Sequence, residues 1–174
     1  SLTDTTSDIE LEVRQAQVYG VGVREFAPNT NEFDVSYGVS FNLNTSQGGN
    51  NGMFITFTDR NPQNQSYDGS HNISLADCVS GGGSECFKYN KIIRGNIINK
   101  ICVVQSASEE CTPSVGRVDV VFKRPNPEAL LKFFNSSGNE ISYPSAVATR
   151  IEIISPKGRI QNVFIYKTGQ IAVQ

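Results

Sequence analysis

The chain has 174 residues, 38% of them apolar and 18% charged, with a formal net charge of −2. That length suits a single domain burying about 70% of its unfolded surface, and no run of 18 or more apolar residues could cross a membrane as a helix. Abundant Gly, Asn, Ser and Thr with few charges predict a β-rich exported protein with many turns.

Ser7 to about Phe26 reads as an amphipathic helix. Ser7 with Glu10 fits a capping box, and Glu10 with Arg14 makes a favourable i,i+4 pair. At 100° per residue, Ile9, Val13, Ala16, Gly20 and Val23 form one apolar stripe. Leu11 and Val18, with Val21 close by, fall nearly opposite. A helix lying on one core needs only one stripe, so the second implies a covering partner. Little precedes the helix and no start Met is present, so it is expected to continue upstream of Ser1.

Ala27-Pro28-Asn29 breaks the helix. Phe33, Val35, Tyr37, Val39, Phe41 and Leu43 then alternate as a strand, and Met53–Asp59 forms a second strand of the same hairpin. Residues 60–85 are a long polar loop, of the kind that is functional or crosslinked. Lys88 to Val104 reads strand–turn–strand around Gly95-Asn96, and Val115–Lys123 is expected to pair with 97–104. The segment 129–134 suits a short strand or one helical turn. Val147–Ser155, Arg159–Lys167 and Gln170–Val173 form a closing meander. One helix followed by strands predicts an α+β fold, with the helix laid across antiparallel sheet. The domain expectation is one unit over 1–174, with the helix in 1–27 and a β-rich head in 32–174.

Charge is uneven along the chain. Residues 1–87 hold 11 acids and 3 bases, and residues 88–174 hold 6 acids and 12 bases. This suits a solvated surface, a dipolar subunit attracted to its neighbours, or a basic half facing a polyanion. The cysteines form two close pairs. Four cysteines allow three connectivities; local bridges Cys78–Cys86 and Cys102–Cys111 are expected because each would close a polar loop between strands. Disulfides would place the chain outside the cytoplasm.

Nucleophile elbows, P-loops, zinc-protease motifs and dinucleotide fingerprints are absent from the sequence. The lone His71 sits in a polar loop, where a catalytic base would need an orienter and a nucleophile. The expectation is a non-enzyme with no cofactor. One candidate calcium set remains: Asp59, Asn61, Asn64 and Asp68 supply oxygen donors without the central Gly and bidentate Glu of an EF-hand. The alternative is an Asx-rich turn. Asn44, Asn64, Asn72 and Asn135 begin glycosylation acceptor triplets, common by chance in so Asn- and Ser-rich a chain.

The segment DIELEVRQAQVYGVGVRE, the pair SYGVSF and MFITFTDRNPQNQSYD, the stretch VDVVFKRPNPEA and the ending RIEIISPKGRIQNVFIYKTGQIAV resemble type IV pilins and pseudopilins of the GspH/FimT-like branch. The resemblance spans nearly the whole chain. It implies a prepilin leader and an apolar helix half upstream of Ser1, with membrane anchoring only through that segment. It also implies a disulfide-stapled head displayed on an extracellular filament. Ile9, Leu11, Val13, Ala16, Val18 and Gly20 would belong to the assembly helix, one stripe on the head and the other against neighbouring pilins. Inner-membrane assembly machinery would be a further partner.

Some relatives in that branch resemble DNA-uptake pilins that use C-terminal basic residues, which maps here to Lys157, Arg159 and Lys167. Gln161 and Gln170 depart from that pattern. Lys88, Lys91, Arg94 and Lys100 make a second basic stretch, with no acid from 87 to 108. The implied function is a minor pilin serving adhesion, motility or DNA uptake, with loop 60–85 contacting a host-surface ligand. The competing expectations are a pseudopilin of a type II secretion system and a secreted β-sandwich adhesin.

Overall fold

The computed structural model describes residues 1–22, 34–60, 62–79 and 85–174. Helix α1 spans Leu2–Val21, and α2 is one short turn of helix at Leu75–Val79. The strands are β1 (Ser36–Asn42), β2 (Met53–Asp59), β3 (Cys86–Lys91), β4 (Ile97–Gln105), β5 (Glu109–Cys111), β6 (Arg117–Phe122), β7 (Ala129–Phe134), β8 (Glu140–Ile141), β9 (Ala146–Ile154), β10 (Ile160–Tyr166) and β11 (Ile171–Val173). They form two antiparallel sheets, ordered β3-β2-β1-β6-β7-β8 and β11-β10-β9-β4-β5. The fold is α+β, with α1 packed on both sheets.

The helix is capped earlier than expected. Ser1 is the N-cap; its hydroxyl accepts from the Asp4 backbone N–H at 3.2 Å, and the Asp4 carboxylate returns the bond. Ser7 therefore lies within the helix, although the Glu10–Arg14 pair forms at 2.7 Å. The last helical residue is Val21, and Gly22 is extended. Val23 and Phe26 lie outside the described residues, as does Phe33 in the expected first strand.

The buried stripe of α1 explains its seat. Ile9, Val13 and Ala16 are fully buried against Tyr37, Val39, Phe41, Val120 and Phe122 of the first sheet. Ile151, Ile153, Val163 and Ile165 of the second sheet complete the same core. At Gly20 the helix comes so close to β6 that a Cβ would stand 2.3 Å from the Phe122 carbonyl oxygen. Polar side chains fix the helix at both ends. Asn96 Nδ2 donates to Thr5 Oγ1 at 2.7 Å, and Gln17 Nε2 donates to the carbonyls of Pro127 and Gly169 at 2.8 and 3.0 Å.

Every residue of β1 is buried, not alternate ones. Tyr37, Val39 and Phe41 meet the main core, while the opposite face lies under the segment 62–79. That segment brings Tyr67 and Cys78 onto Met53, Ile55, Phe57 and Val121, making a second small core.

Strand pairing differs from expectation at β6. It pairs with β1 and β7, not with β4. The partner of β4 on that side is the three-residue β5, where Cys102 and Cys111 face each other in register. Their bridge shortens the hairpin, and 112–116 then carries the chain across to the other sheet. Likewise β3 and β4 flank the expected turn but belong to different sheets. Segment 129–134 is a strand, and the closing meander forms as expected.

Candidate functional site

Two surfaces stand out, one on α1 and one under the loop 62–79. On α1 the second stripe is open: Leu11 is 63% exposed and Val18 67%. Seven residues apart, they lie on one side of the helix, separated by roughly 10 Å along its axis. Beside Leu11 a groove of about 280 Å³ runs between α1 and β3, lined by Asp8, Glu12, Phe54, Lys88 and Asn90 among others. Val21, also near this stripe, is half-buried.

Beneath the loop lies a buried polar node centred on Asp119 of β6. Its carboxylate is fully buried and accepts from Ser40 Oγ at 2.6 Å, Ser66 Oγ at 2.9 Å and the Tyr67 backbone N–H at 2.8 Å. Arg117, two residues earlier on the same face, supplies the counter-charge with Nε at 3.0 Å from the carboxylate. It also donates to the Tyr67 carbonyl at 2.7 Å and stacks 4.3 Å from the Phe134 ring centre. A buried carboxylate is tolerated only when paired and hydrogen-bonded in this way.

His71 completes the node, with Nε2 2.9 Å from Ser40 Oγ and its ring edge-on to Tyr67 at 4.9 Å between centres. Because Ser40 donates to Asp119, its oxygen accepts from Nε2–H, which assigns the His71 tautomer. A histidine, a serine and an aspartate thus meet, but in the wrong order for nucleophile activation. There the imidazole sits between carboxylate and hydroxyl; here the serine sits in the middle and is fully buried. Burial, aided by the Arg117 charge, pushes the His71 pKa down to about 4. Burial also pushes Tyr67 up to about 12.

The calcium candidates serve the loop's own backbone. Asp59 is buried and accepts from the N–H groups of Asn64 and Gln65 at 3.1 and 2.9 Å. Asn64 Nδ2 donates to both oxygens of Asp68. Glu85 accepts from the N–H groups of Arg60 and Asp68 at 3.1 and 2.7 Å. Burial raises the pKa of Asp59 and of Glu85, against the lowering effect of these hydrogen bonds. Asn61 lies outside the described residues. Among the described residues, Asp59, Asp68 and Glu85 bring no three ligand atoms within 4.8 Å of one another. The described Asx side chains thus hydrogen-bond the loop's own backbone and one another. The grouping of Cys102, Glu109 and Cys111 that does come together contains a disulfide, whose sulfurs are not metal-binding thiolates.

Both local disulfides are present, Cys78–Cys86 pinning α2 to β3 and Cys102–Cys111 joining β4 to β5. The C-terminal basic residues lie at two ends of one strand. Lys157 and Arg159 lie in the β9–β10 turn, whereas Lys167 lies at the far end of β10, roughly 25 Å away along the strand. The stretch 88–100 is largely neutralised in space: Lys88 pairs with Glu12, Arg94 with Asp4 at 2.9 Å, and Lys100 stands 4.0 Å from Glu152. The uneven charge along the sequence is thus partly compensated within the chain. Of the glycosylation candidates, Asn44 is buried, with Nδ2 donating to the Asn135 carbonyl at 2.8 Å.

No family model matches the chain, and neither a curated protein nor a solved structure matches it.

Proposed function

We propose that this chain is the head of a pilin-like filament subunit, exported and displayed on a cell-surface fibre as a minor component. Its role is assembly and display rather than catalysis. The observation that carries the reading is the two-sided helix. One stripe of α1 is fully buried on the head, while Leu11 and Val18 stand exposed on the opposite side. Exposed aliphatic side chains at helical spacing suit packing against another helix. In this reading neighbouring subunits cover them, and an upstream segment and inner-membrane machinery deliver the subunit to the fibre. The stapled loop 62–79 is the displayed contact surface for a ligand. A pseudopilin of a secretion machine would use the same geometry and stay in the envelope.

Cysteine crosslinking tests the reading. Val18→Cys subunits in assembled fibres are expected to crosslink through α1, whereas Ser137→Cys, on an exposed turn, is not. Crosslinking at neither or at both equally would contradict it. A second reading, a secreted β-sandwich binding module, is favoured by the two sheets sharing one core. It predicts a monomer that binds its ligand with Leu11 and Val18 still open to solvent.

A further inference from the structure

We propose that the end of the molecule formed by the β3–β4 and β9–β10 turns docks on an anionic phospholipid surface. The inference goes beyond the filament reading and rests on different residues. The two turns lie side by side. Ile97 and Ile154 are register partners, and a Cβ on Gly95 would meet the Pro156 ring at 2.9 Å. Arg94 and Gly95 are both left-handed, with φ of 64° and 72°, which turns the chain sharply outward. Gly158, with φ of 75°, does the same in the partner turn, and nothing lies within 4 Å of the space its side chain would fill.

These turns display two exposed isoleucines among cations. Ile93 and Ile160 are each 51% exposed, Ile93 in the β3–β4 turn and Ile160 at the start of β10. Arg94 spends its charge on Asp4. Lys157 and Arg159 are exposed, and among the described residues neither side chain has a charged or hydrogen-bonding partner. The turn that carries them is held firmly, Arg159 N–H donating to Ser155 Oγ at 3.1 Å and Gly158 N–H to the Ser155 carbonyl at 2.9 Å.

Aliphatic side chains beside unpaired cations match the boundary between headgroup and acyl chain. There the cation meets phosphate and the isoleucine leaves water. A nucleic acid would use the cations but leave the isoleucines exposed, because duplex backbones offer them no apolar surface and single strands are held by aromatic stacking. The N-terminus of α1 lies at this same end, since Asn96 Nδ2 donates to the Ser1 carbonyl at 3.4 Å. Docking here would therefore bring the helix start to the bilayer surface.

The test is co-sedimentation of the chain with vesicles of phosphatidylglycerol and phosphatidylcholine, against vesicles of phosphatidylcholine alone and a short DNA duplex. Binding to the anionic vesicles is expected at low salt (about 10 mM), weakening at about 150 mM, where the Debye length falls to about 8 Å. Lys157→Ala with Arg159→Ala should weaken binding roughly twenty-five-fold, about fivefold per cation. Ile160→Ser should weaken it several-fold with the charge unchanged. Each variant is at an exposed position in the turn or at the start of β10 and should keep the wild-type melting temperature. No binding to anionic vesicles at low salt would overturn the proposal. So would binding indifferent to the double variant, or duplex binding through the same cations that Ile160→Ser leaves unaltered. None of these results bears on crosslinking through Val18, so the two proposals stand or fall separately.

Discussion

Ser40 donates to Asp119 across 2.6 Å, joining two fully buried side chains on neighbouring strands β1 and β6. The bond lies beneath the segment 62–79, whose Ser66 and Tyr67 donate to the same carboxylate. Asp119 therefore ties the segment 62–79 to the outer face of the sheet, beside the small apolar core there. Replacing it by Ala leaves the Arg117 guanidinium without its counter-charge and three donors without an acceptor. Asp119→Ala should cost roughly 3–5 kcal/mol, the range for breaking a buried pair from one side. Ser66→Ala should cost about 1.5–3 kcal/mol, the range for a hydrogen bond to a charged group. Urea unfolding of both variants measures this; equal, small losses would contradict the central place given to Asp119.

The same node predicts a pH dependence. His71 is held neutral by burial and faces Arg117 and Asp119, with a folded pKa of about 4 against 6.5 in the unfolded chain. Between those values the unfolded state binds more protons, so stability falls as pH drops from 6.5 towards 4. The slope approaches about 1.4 kcal/mol per pH unit. Asp59 and Glu85 act in the opposite sense: their folded pKa values are raised, so protonation relieves a buried charge and adds stability at lower pH. Unfolding curves of wild type and His71→Gln at pH 7 and pH 4.5 isolate the histidine. The two should converge at the lower pH, and a constant difference would contradict this assignment.

Pinning of the loop can be removed separately. The Cys78–Cys86 bridge closes a short loop, with a sequence separation of 8. In the chain-entropy model that is worth roughly 2–3 kcal/mol. The double variant Cys78→Ala, Cys86→Ala should lose about that much, and the cuts made by limited proteolysis should fall first within 62–79. Cuts appearing first in the closing meander would show that the loop is held by other means.

Gly20 offers a test in which two effects oppose. Ala favours a helix by about 1 kcal/mol over Gly. Here its methyl would meet backbone, at 2.3 Å from the Phe122 carbonyl oxygen, which cannot rotate aside. Overpacking of this kind typically costs 1–3 kcal/mol. Gly20→Ala should therefore lower the melting temperature, and a rise would mean that α1 sits further from β6.

Local signals were legible in the sequence; long-range ones were not. The stripe Ile9, Val13, Ala16 and Gly20, the strand Met53–Asp59, the closing meander and both disulfides could be read because periodicity and short spacing are local properties. The alternation in β1 was legible too, but it implied a solvated face. Ser36, Ser40 and Asn42 are instead buried, because a distant loop covers them. No periodicity reports such a cover. The pairing of β6 failed for a related reason: a three-residue strand, β5, is too short to produce a pattern, yet it occupies the edge of β4. His71 could be noticed as the lone histidine, but its partners Ser40 and Asp119 lie 31 and 48 positions away. Nothing in those intervals marks them as neighbours. Ser7 is not the cap because Ser1 and Asp4 form the capping box six residues earlier, about one and two-thirds turns.

The direct test of the proposed filament reading is to replace Leu11 and Val18 together by Ser and ask whether the chain still enters fibres. Both side chains are largely exposed, so the purified double variant should keep its melting temperature within a few degrees of wild type. Its incorporation into filaments should fall sharply while export and head folding are retained. A double variant that folds normally and assembles at the wild-type level would contradict the account, since the second stripe would then have no partner in the fibre.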